Sequence, residues 1–135
     1  MTFLSPINLA KEIETEAAYA IYDYSTNKIL YGQKIDEEIA IASVTKLMTA
    51  LLVFEKIEAG DLTLTDTYTY SQEELDLYFF GSDVGIQLGQ AVTVDELLQL
   101  LMIRSSNSSA QALAKLVSGS EADFVKLMNA KAQAL

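Results

Sequence analysis

A serine and a lysine three positions apart open an otherwise apolar segment, "ASVTKLMTALLVF" at residues 42–54. Residues three apart on a helix share one face, so the side chains of Ser43 and Lys46 can meet. The positive end of the helix dipole and the apolar surroundings both favour a neutral amine at Lys46. Because a serine hydroxyl needs a base to become a nucleophile, the pair predicts a Ser43 nucleophile with Lys46 as its general base. The alternative is an N-cap serine beside a surface lysine.

The second group of candidate residues is Ser105-Ser106-Asn107, in a polar break between two apolar segments. A turn of this kind commonly does no more than connect two helices, with serine and asparagine side chains capping backbone groups. The chemical interpretation of this turn therefore depends on its combination with Ser43 and Lys46.

The elements that must carry these residues begin with a β-hairpin. Aromatic and β-branched residues predict strands over about 17–23 and 29–33, and Asn27 in the turn is the residue most tolerant of a positive φ. A helical pattern follows over 44–59 and ends before Gly60. Apolar residues cover most of its circumference, which predicts a helix central to the core.

Later elements are indicated by N-terminal capping patterns. Weak alternation over 61–70 predicts a loop with at most a short strand, and the polar break separates two of the later helices. The predicted elements are a short helix over about 75–80 after Ser71 and Glu74, a helix from Thr93 and Glu96 through Ile103, a helix over 109–117, and a last helix that begins with Ser120 and Asp123 and is still running at Leu135.

Composition excludes several classes of site. The 135 residues are 50% hydrophobic, which predicts a packed core, and 9 basic against 19 acidic residues argue against nucleic-acid binding. Without cysteine or histidine there is no thiol nucleophile, histidine triad or usual zinc site, so we expect neither a cofactor nor a metal. The segment between Lys56 and Arg104 has no basic residue. A solvated acidic surface is the simplest explanation, and a docking face for a basic partner is the alternative.

The order of motifs resembles a known family. "ASVTKLMTALL", the S-x-N of "LMIRSSNSSAQALAKLVSGS" and then "FVKLMNAKAQAL" are similar to the penicillin-binding serine D-alanyl-D-alanine carboxypeptidases, relatives of class A β-lactamases. The resemblance implies an α+β fold of the β-lactamase/transpeptidase type. Residues 17–135 would form a β-hairpin plus a mainly helical subdomain, after a lead-in helix within residues 1–16.

The resemblance also implies a role for each candidate residue. Ser43 would attack the carbonyl of a D-Ala-D-Ala peptide bond to form an acyl-enzyme, after Lys46 deprotonates it. Ser105 would shuttle a proton toward Lys46 or the leaving amine, and Asn107 would hydrogen-bond the Lys46 side chain or the substrate amide. β-Lactams would acylate Ser43, and the protein would act outside the cytoplasm, in the cell envelope.

One family motif is missing from the sequence. No K-T-G strand motif occurs before Leu135, so we expect this chain to be the N-terminal part of a catalytic domain. An oxyanion-hole donor would be missing together with that motif. Because loss of one such donor costs ~10²–10³ in rate, we expect little or no turnover by this chain alone. An uncovered strand edge predicts self-association or partial disorder near residues 17–33. A fragment of a class A-type β-lactamase and a non-catalytic acidic helical module that binds a basic partner remain as alternatives.

Overall fold

The computed structural model describes residues 18–72, 74–75 and 86–135. The predicted lead-in helix and most of the short helix expected over 75–80 lie outside the described residues. The chain divides into two compact units, residues 1–40 and 41–135. No helix in the described part of the chain is long and apolar enough to cross a membrane.

The first unit contains the predicted hairpin. Strand β1 (Tyr19–Asp23) pairs antiparallel with strand β2 (Lys28–Gln33), and the register shifts between Ile21 and Tyr22. Such a shift bends one strand and increases the local twist. Asn27 has a φ of 55°, which confirms the residue predicted to take the left-handed conformation in the turn.

Asp23 organises the hairpin turn. Its carboxylate accepts hydrogen bonds from the Ser25 backbone N–H at 2.9 Å and from the Ser25 and Thr26 hydroxyls at 2.6 Å each. The Ser25 hydroxyl contributes most, and together these bonds lower the pKa of Asp23 to about 2. The turn is therefore held by its own side chains, as expected of an aspartate that begins a turn.

The second unit is mainly helical. A 3₁₀ turn (Ala42–Thr45) leads into α1 (Lys46–Glu58), and three further helices follow after a small two-stranded sheet. In that sheet β3 (Thr67–Thr69) pairs antiparallel with β4 (Ala91–Thr93). The further helices are α2 (Val94–Arg104), α3 (Asn107–Ser118) and α4 (Glu121–Ala134).

Side chains and glycines fix the ends of these helices as the capping patterns predicted. Thr93 Oγ1 accepts from the Glu96 N–H at 3.2 Å, and Glu96 Oε2 accepts from the Thr93 N–H at 2.8 Å. The backbone hydrogen bond from Thr93 lowers the pKa of the Glu96 carboxyl. Ser120 caps α4 by accepting from the Asp123 N–H at 3.1 Å. Gly119 ends α3 with a φ of 79°, a conformation that costs glycine little.

The core of this unit lies where α1 contacts α2, α3 and α4. Its main buried cluster consists of Ala50, Val53, Leu62, Tyr70, Val92, Val94, Leu97, Leu98, Leu101, Ala112 and Leu113. The prediction that α1 is central to the core is confirmed by its contacts with three helices and by its buried residues Ala50, Leu52 and Val53, although not all of its apolar side chains are covered. Leu47 is 58% exposed and Phe54 is 53% exposed. The described helices cover one side of α1 and leave these two side chains outside the core.

An ion pair within the second unit joins segments that are distant in sequence. The Lys115 ammonium on α3 and the Tyr68 hydroxyl on β3 both donate to Glu74 Oε1. Glu74 Oε2 accepts from the Ser71 backbone N–H at 2.8 Å, which confirms the predicted capping box. Burial raises the pKa of the Glu74 carboxyl, but the hydrogen bonds from Lys115, Tyr68 and Ser71 outweigh it and bring the pKa to about 2. Burial, followed by the hydrogen bond to Glu74, raises the pKa of Tyr68 to about 12.

Most of the described acidic residues between positions 58 and 96 serve local structure. Glu74 and Glu96 belong to capping boxes, as described above. The other local contacts are Asp61 with the Lys56 ammonium at 2.9 Å, Asp66 with the Thr63 N–H at 2.7 Å, and Asp95 with the Gln99 side-chain amide at 2.8 Å. These carboxylates are already occupied by contacts within the chain, which argues against a dedicated acidic docking face.

Candidate active site

The candidate nucleophile lies in the 3₁₀ turn just before α1. Ser43 is exposed, and Lys46 is half-buried as the first residue of the α-helix. The side-chain nitrogen of Lys46 (Nζ) lies 3.3 Å from Ser43 Oγ, within hydrogen-bond distance. General-base contacts lie at about 2.6–3.2 Å and are often looser without a ligand, so this separation suits proton transfer. The structure therefore brings together the two residues that the sequence paired.

The N-cap interpretation of Ser43 is wrong. The residue that precedes the 3₁₀ turn is Ile41 and the one that precedes α1 is Thr45, and neither helix start has a side-chain capping hydrogen bond. The Ser43 hydroxyl instead accepts the hydrogen bond of Lys46. The positive end of the α1 dipole lies next to this hydroxyl, where it would stabilise negative charge that develops during attack on a carbonyl.

The residue before Ser43 has an unfavourable backbone conformation. Ala42 has a φ of 47°, in the left-handed region that costs a non-glycine residue about 1–2 kcal/mol. Such residues occur where the surrounding structure holds them in place, often at functional sites. Ala42 therefore sets the direction in which the chain enters the turn that carries Ser43. Sequence reasoning missed this feature, because alanine gives no signal for a positive φ.

We expect substitutions of Ala42 to follow this conformation. Glycine at position 42 should raise the free energy of unfolding by up to about 1 kcal/mol, since it removes the steric cost, whereas valine should lower it by more than about 1 kcal/mol. Ala59, an exposed residue with a φ of −71° at the other end of α1, is the matched control, and there glycine should destabilise. Urea unfolding of the parent and these three variants measures the difference, and a destabilising Ala42→Gly would contradict the strain.

The second candidate group lies at the junction between α2 and α3. Ser105 ends α2 in the left-handed conformation, with a φ of 56°, and is half-buried. Ser106 is the N-cap of α3, and Asn107 is its first residue and is exposed. Helix α1 contacts both α2 and α3, the helices on either side of this junction.

Capping at this junction is performed by Ser106 alone. The interpretation that all three polar residues cap backbone groups is therefore wrong for two of them. Among the residues that the structure describes, no hydrogen bond engages the side chain of Ser105 or Asn107, and none joins either one to the pair Ser43 and Lys46. Their side chains thus remain available for a substrate, and their predicted roles in catalysis stay predictions.

The described residues also include no group of three or more acidic side chains arranged to hold a metal ion. The chemistry that the site can perform with its own residues is nucleophilic attack by a serine with a lysine beside it. That chemistry produces a covalent acyl intermediate when the substrate is an amide or a lactam.

Comparison with known proteins identifies the family. The Peptidase S11 model, described as D-alanyl-D-alanine carboxypeptidase, matches residues 6–135. The chain belongs to this family. The match includes Ser43 and Lys46 and extends beyond the junction between α2 and α3. It favours the carboxypeptidase interpretation over the β-lactamase one.

Individual relatives agree with the family. D-alanyl-D-alanine carboxypeptidase DacF of Bacillus subtilis is 37% identical over 125 residues, which are 92% of this chain and 32% of the relative. The crystal structure of D-alanyl-D-alanine carboxypeptidase DacD from Francisella tularensis matches 99% of this chain and 31% of that one, with 31% identity and a TM-score of 0.84. Penicillin-binding protein D2 from Listeria monocytogenes in its ampicillin-bound form has 29% identity and a TM-score of 0.72, over 87% of this chain and 45% of that one.

These matches confirm the α+β fold of penicillin-binding proteins. The chain spans about a third of the length of the curated relatives that it matches.

Proposed function

We propose that the protein is a serine D-Ala-D-Ala carboxypeptidase of peptidoglycan maturation that works through an acyl-enzyme on Ser43. The observation that carries this proposal is the contact of 3.3 Å between Lys46 Nζ and Ser43 Oγ, in a turn where the serine caps no helix. Membership of the carboxypeptidase family and the names of the relatives support the substrate class.

The proposed reaction has two steps. Lys46 takes the hydroxyl proton as Ser43 Oγ bonds to the carbonyl carbon of the D-Ala-D-Ala peptide. The C–N bond then breaks, the terminal D-alanine leaves with a proton delivered through Ser105, and the peptide remains as an ester on Ser43. A water molecule attacks this ester with Lys46 again as base, which releases the shortened peptide and restores the hydroxyl. Asn107 hydrogen-bonds the substrate amide or the Lys46 side chain and so orients the reacting groups.

β-Lactams are the second class of ligand in the proposal. The ring amide would be attacked by Ser43 in the same way, and ring opening would leave a stable ester in place of a departing D-alanine. The ampicillin-bound relative supports this part of the proposal.

The experiment that tests the function is to locate the adduct. The complete gene product that carries this sequence is incubated with a fluorescent penicillin, digested and analysed by mass spectrometry. We expect one penicilloyl group per chain, on the peptide that contains Ser43. An adduct on another residue, or none with an otherwise folded protein, would overturn the proposal.

We also propose that the protein acts outside the cytoplasmic membrane, in the cell envelope. Peptidoglycan stem peptides that end in D-Ala-D-Ala are cross-linked there, which supports this location. Fractionation of cells with an antibody against the chain is the measurement, and recovery of the mature protein in the cytoplasmic fraction alone would contradict it.

The hairpin supports a further proposal, that this 135-residue chain self-associates. Among the residues that the structure describes, this sheet consists of two strands, β1 and β2, and apolar side chains on both are exposed, including Ile21 at 55% and Leu30 at 64%. Strands with exposed apolar faces and open edges commonly pair with another chain.

Sedimentation velocity over a concentration series tests this association. We expect a mass above 14.8 kDa that rises with concentration for the parent chain, and a shift toward the monomer for Leu30→Lys. Tyr24→Lys is the control, because Tyr24 is 91% exposed but lies in the turn outside both strands. A strictly monomeric parent chain would contradict the proposal.

A further inference from the structure

Three serines at the start of α3 are buried beside the candidate site. Ser106 and Ser109 have no exposed surface, and Ser108 retains 3%. A hydroxyl inside a protein costs free energy unless it forms hydrogen bonds. The contacts of these hydroxyls therefore indicate why serines are buried here.

Ser106 is bonded on both sides of the helix junction. Its backbone N–H donates to the Leu100 carbonyl of α2 at 3.2 Å. Its Oγ accepts from the Ser109 backbone N–H of α3 at 3.1 Å and lies 3.0 Å from the Ser108 Oγ. One residue thus connects the end of α2 to the beginning of α3 through backbone and side chain together.

These bonds fix the two residues next to Ser106 in the sequence. Ser105 leaves α2 in a left-handed conformation that serine adopts only when its surroundings impose it. Asn107 enters α3 as its first helical residue. If the middle residue moved, the directions of both neighbouring side chains would change with it.

We infer that Ser106 is a positioning residue, which sets the orientation of Ser105 and Asn107 toward a substrate held at Ser43. This inference rests on the proposed function and deepens it. Ser106 itself is buried, so we expect its effect on the reaction to pass through its two neighbours.

The chain offers two matched controls. Ser120 caps α4 through a hydrogen bond of the same kind and length, 3.1 Å to the Asp123 N–H, but α4 carries no candidate site residue. Ser109 belongs to the same buried cluster, yet within the described part of the chain its Oγ has no hydrogen-bond partner. Ser109→Ala therefore tests the effect of losing a buried hydroxyl that caps no helix. Ser120→Ala tests the effect of losing a helix cap that is remote from the candidate site residues in sequence.

The experiment measures the second-order rate constant of acylation by a fluorescent penicillin together with the melting temperature, in the complete gene product. Ser106→Ala should lower the rate constant by ~10- to 100-fold, because small displacements of catalytic groups have effects of this size. Ser120→Ala and Ser109→Ala should stay within about twofold of the parent, although Ser120→Ala should lower the melting temperature about as much as Ser106→Ala does. Ser106→Thr retains the hydroxyl and should recover most of the rate.

Each outcome decides the inference. Acylation of Ser106→Ala within about twofold of the parent, or an equal loss in Ser120→Ala, would overturn the positioning role while leaving the proposed function intact. A folded parent that is never acylated would overturn both. If Ser106→Ala does not fold, Ser108→Ala decides, because it keeps the cap and removes the 3.0 Å contact of Ser108 Oγ with Ser106 Oγ. A loss of about threefold or more is then expected, and an unchanged rate would refute the role.

Discussion

Replacement of Ser43 by alanine is expected to abolish covalent labelling by penicillin, and replacement of Lys46 by methionine is expected to slow it by ~10²–10⁴-fold. The first change removes the oxygen that forms the ester. The second removes the base, whose contribution to proton transfer is typically of this size. Methionine preserves the length and helix propensity of the side chain, so α1 should still begin at position 46.

An arginine at position 46 distinguishes two possible roles of Lys46, that of a base and that of a fixed positive charge. The guanidinium group keeps the charge but does not lose its proton in proteins, so it cannot accept the proton of Ser43. Lys46→Arg should therefore be as slow as Lys46→Met. If the role of Lys46 were only to attract an anionic substrate, arginine would retain most of the rate.

Two further variants complete this prediction. Lys56→Met alters another lysine of α1, which pairs with Asp61 at 2.9 Å, and it should be acylated at the parent rate. The double variant of Ser43→Ala with Lys46→Met should form no adduct, as Ser43→Ala alone forms none, because Lys46 acts only through Ser43. Stopped-flow fluorescence with the penicillin probe measures all of these rates. Full activity in Lys46→Arg would contradict the assignment of Lys46 as the base.

The parts of the structure that the sequence predicted depend on short separations along the chain. The contact of Ser43 with Lys46 follows from helical spacing, and the capping box of Thr93 with Glu96 follows from a pattern four residues long. The positive φ of Asn27 follows from turn chemistry. In each case the partners are neighbours in sequence, so local geometry alone determines whether they can meet.

Other features depend on contacts that no local pattern encodes. Strand β4 is three residues long and pairs with β3 from a distant part of the chain. Lys115 and Glu74 are 41 positions apart. The exposure of Leu47 and Phe54 could not be predicted, because apolar periodicity indicates which side chains favour burial and not which neighbours cover them. The sequence alone could not show which residue of Ser105-Ser106-Asn107 caps α3, because this depends on the path of the backbone at the α2–α3 junction.

The ion pair of Glu74 with Lys115 is expected to contribute strongly to the stability of the fold. Lys115→Met is expected to lower the free energy of unfolding at pH 7 by about 2–4 kcal/mol, because it leaves a largely buried carboxylate without its cation. The side chain of Glu74 is only 13% exposed and that of Lys115 is 30% exposed, so solvent replaces little of the lost interaction. Chemical denaturation with urea, followed by circular dichroism, gives the measurement.

Acid should weaken the parent protein through the same contact. The pKa of Glu74 is about 2 in the folded protein against an ordinary value of 4.5, so the folded state favours the ionised carboxylate. Its contribution to stability is fully present above pH 4.5 and is lost as the pH falls toward 2. At about 1.4 kcal/mol per pH unit, the loss attributable to Glu74 approaches roughly 3 kcal/mol at the end of that window. Lys115→Met should reduce this dependence, since the largest of the contacts that lower the pKa of Glu74 is gone, while the hydrogen bonds from Tyr68 and Ser71 remain.

Lys126→Met supplies the matched control for this prediction. Lys126 pairs with Asp123 at 2.7 Å, but the two side chains are 76% and 56% exposed, and exposed pairs contribute about 0–1 kcal/mol. The control should therefore unfold at nearly the same urea concentration as the parent at pH 7. Glu74→Gln combined with Lys115→Met should be more stable than Lys115→Met alone, because no unpaired charge then remains in the partly buried site. Equal destabilisation by Lys115→Met and Lys126→Met would show that the contact between α3 and Glu74 contributes no more than a surface ion pair.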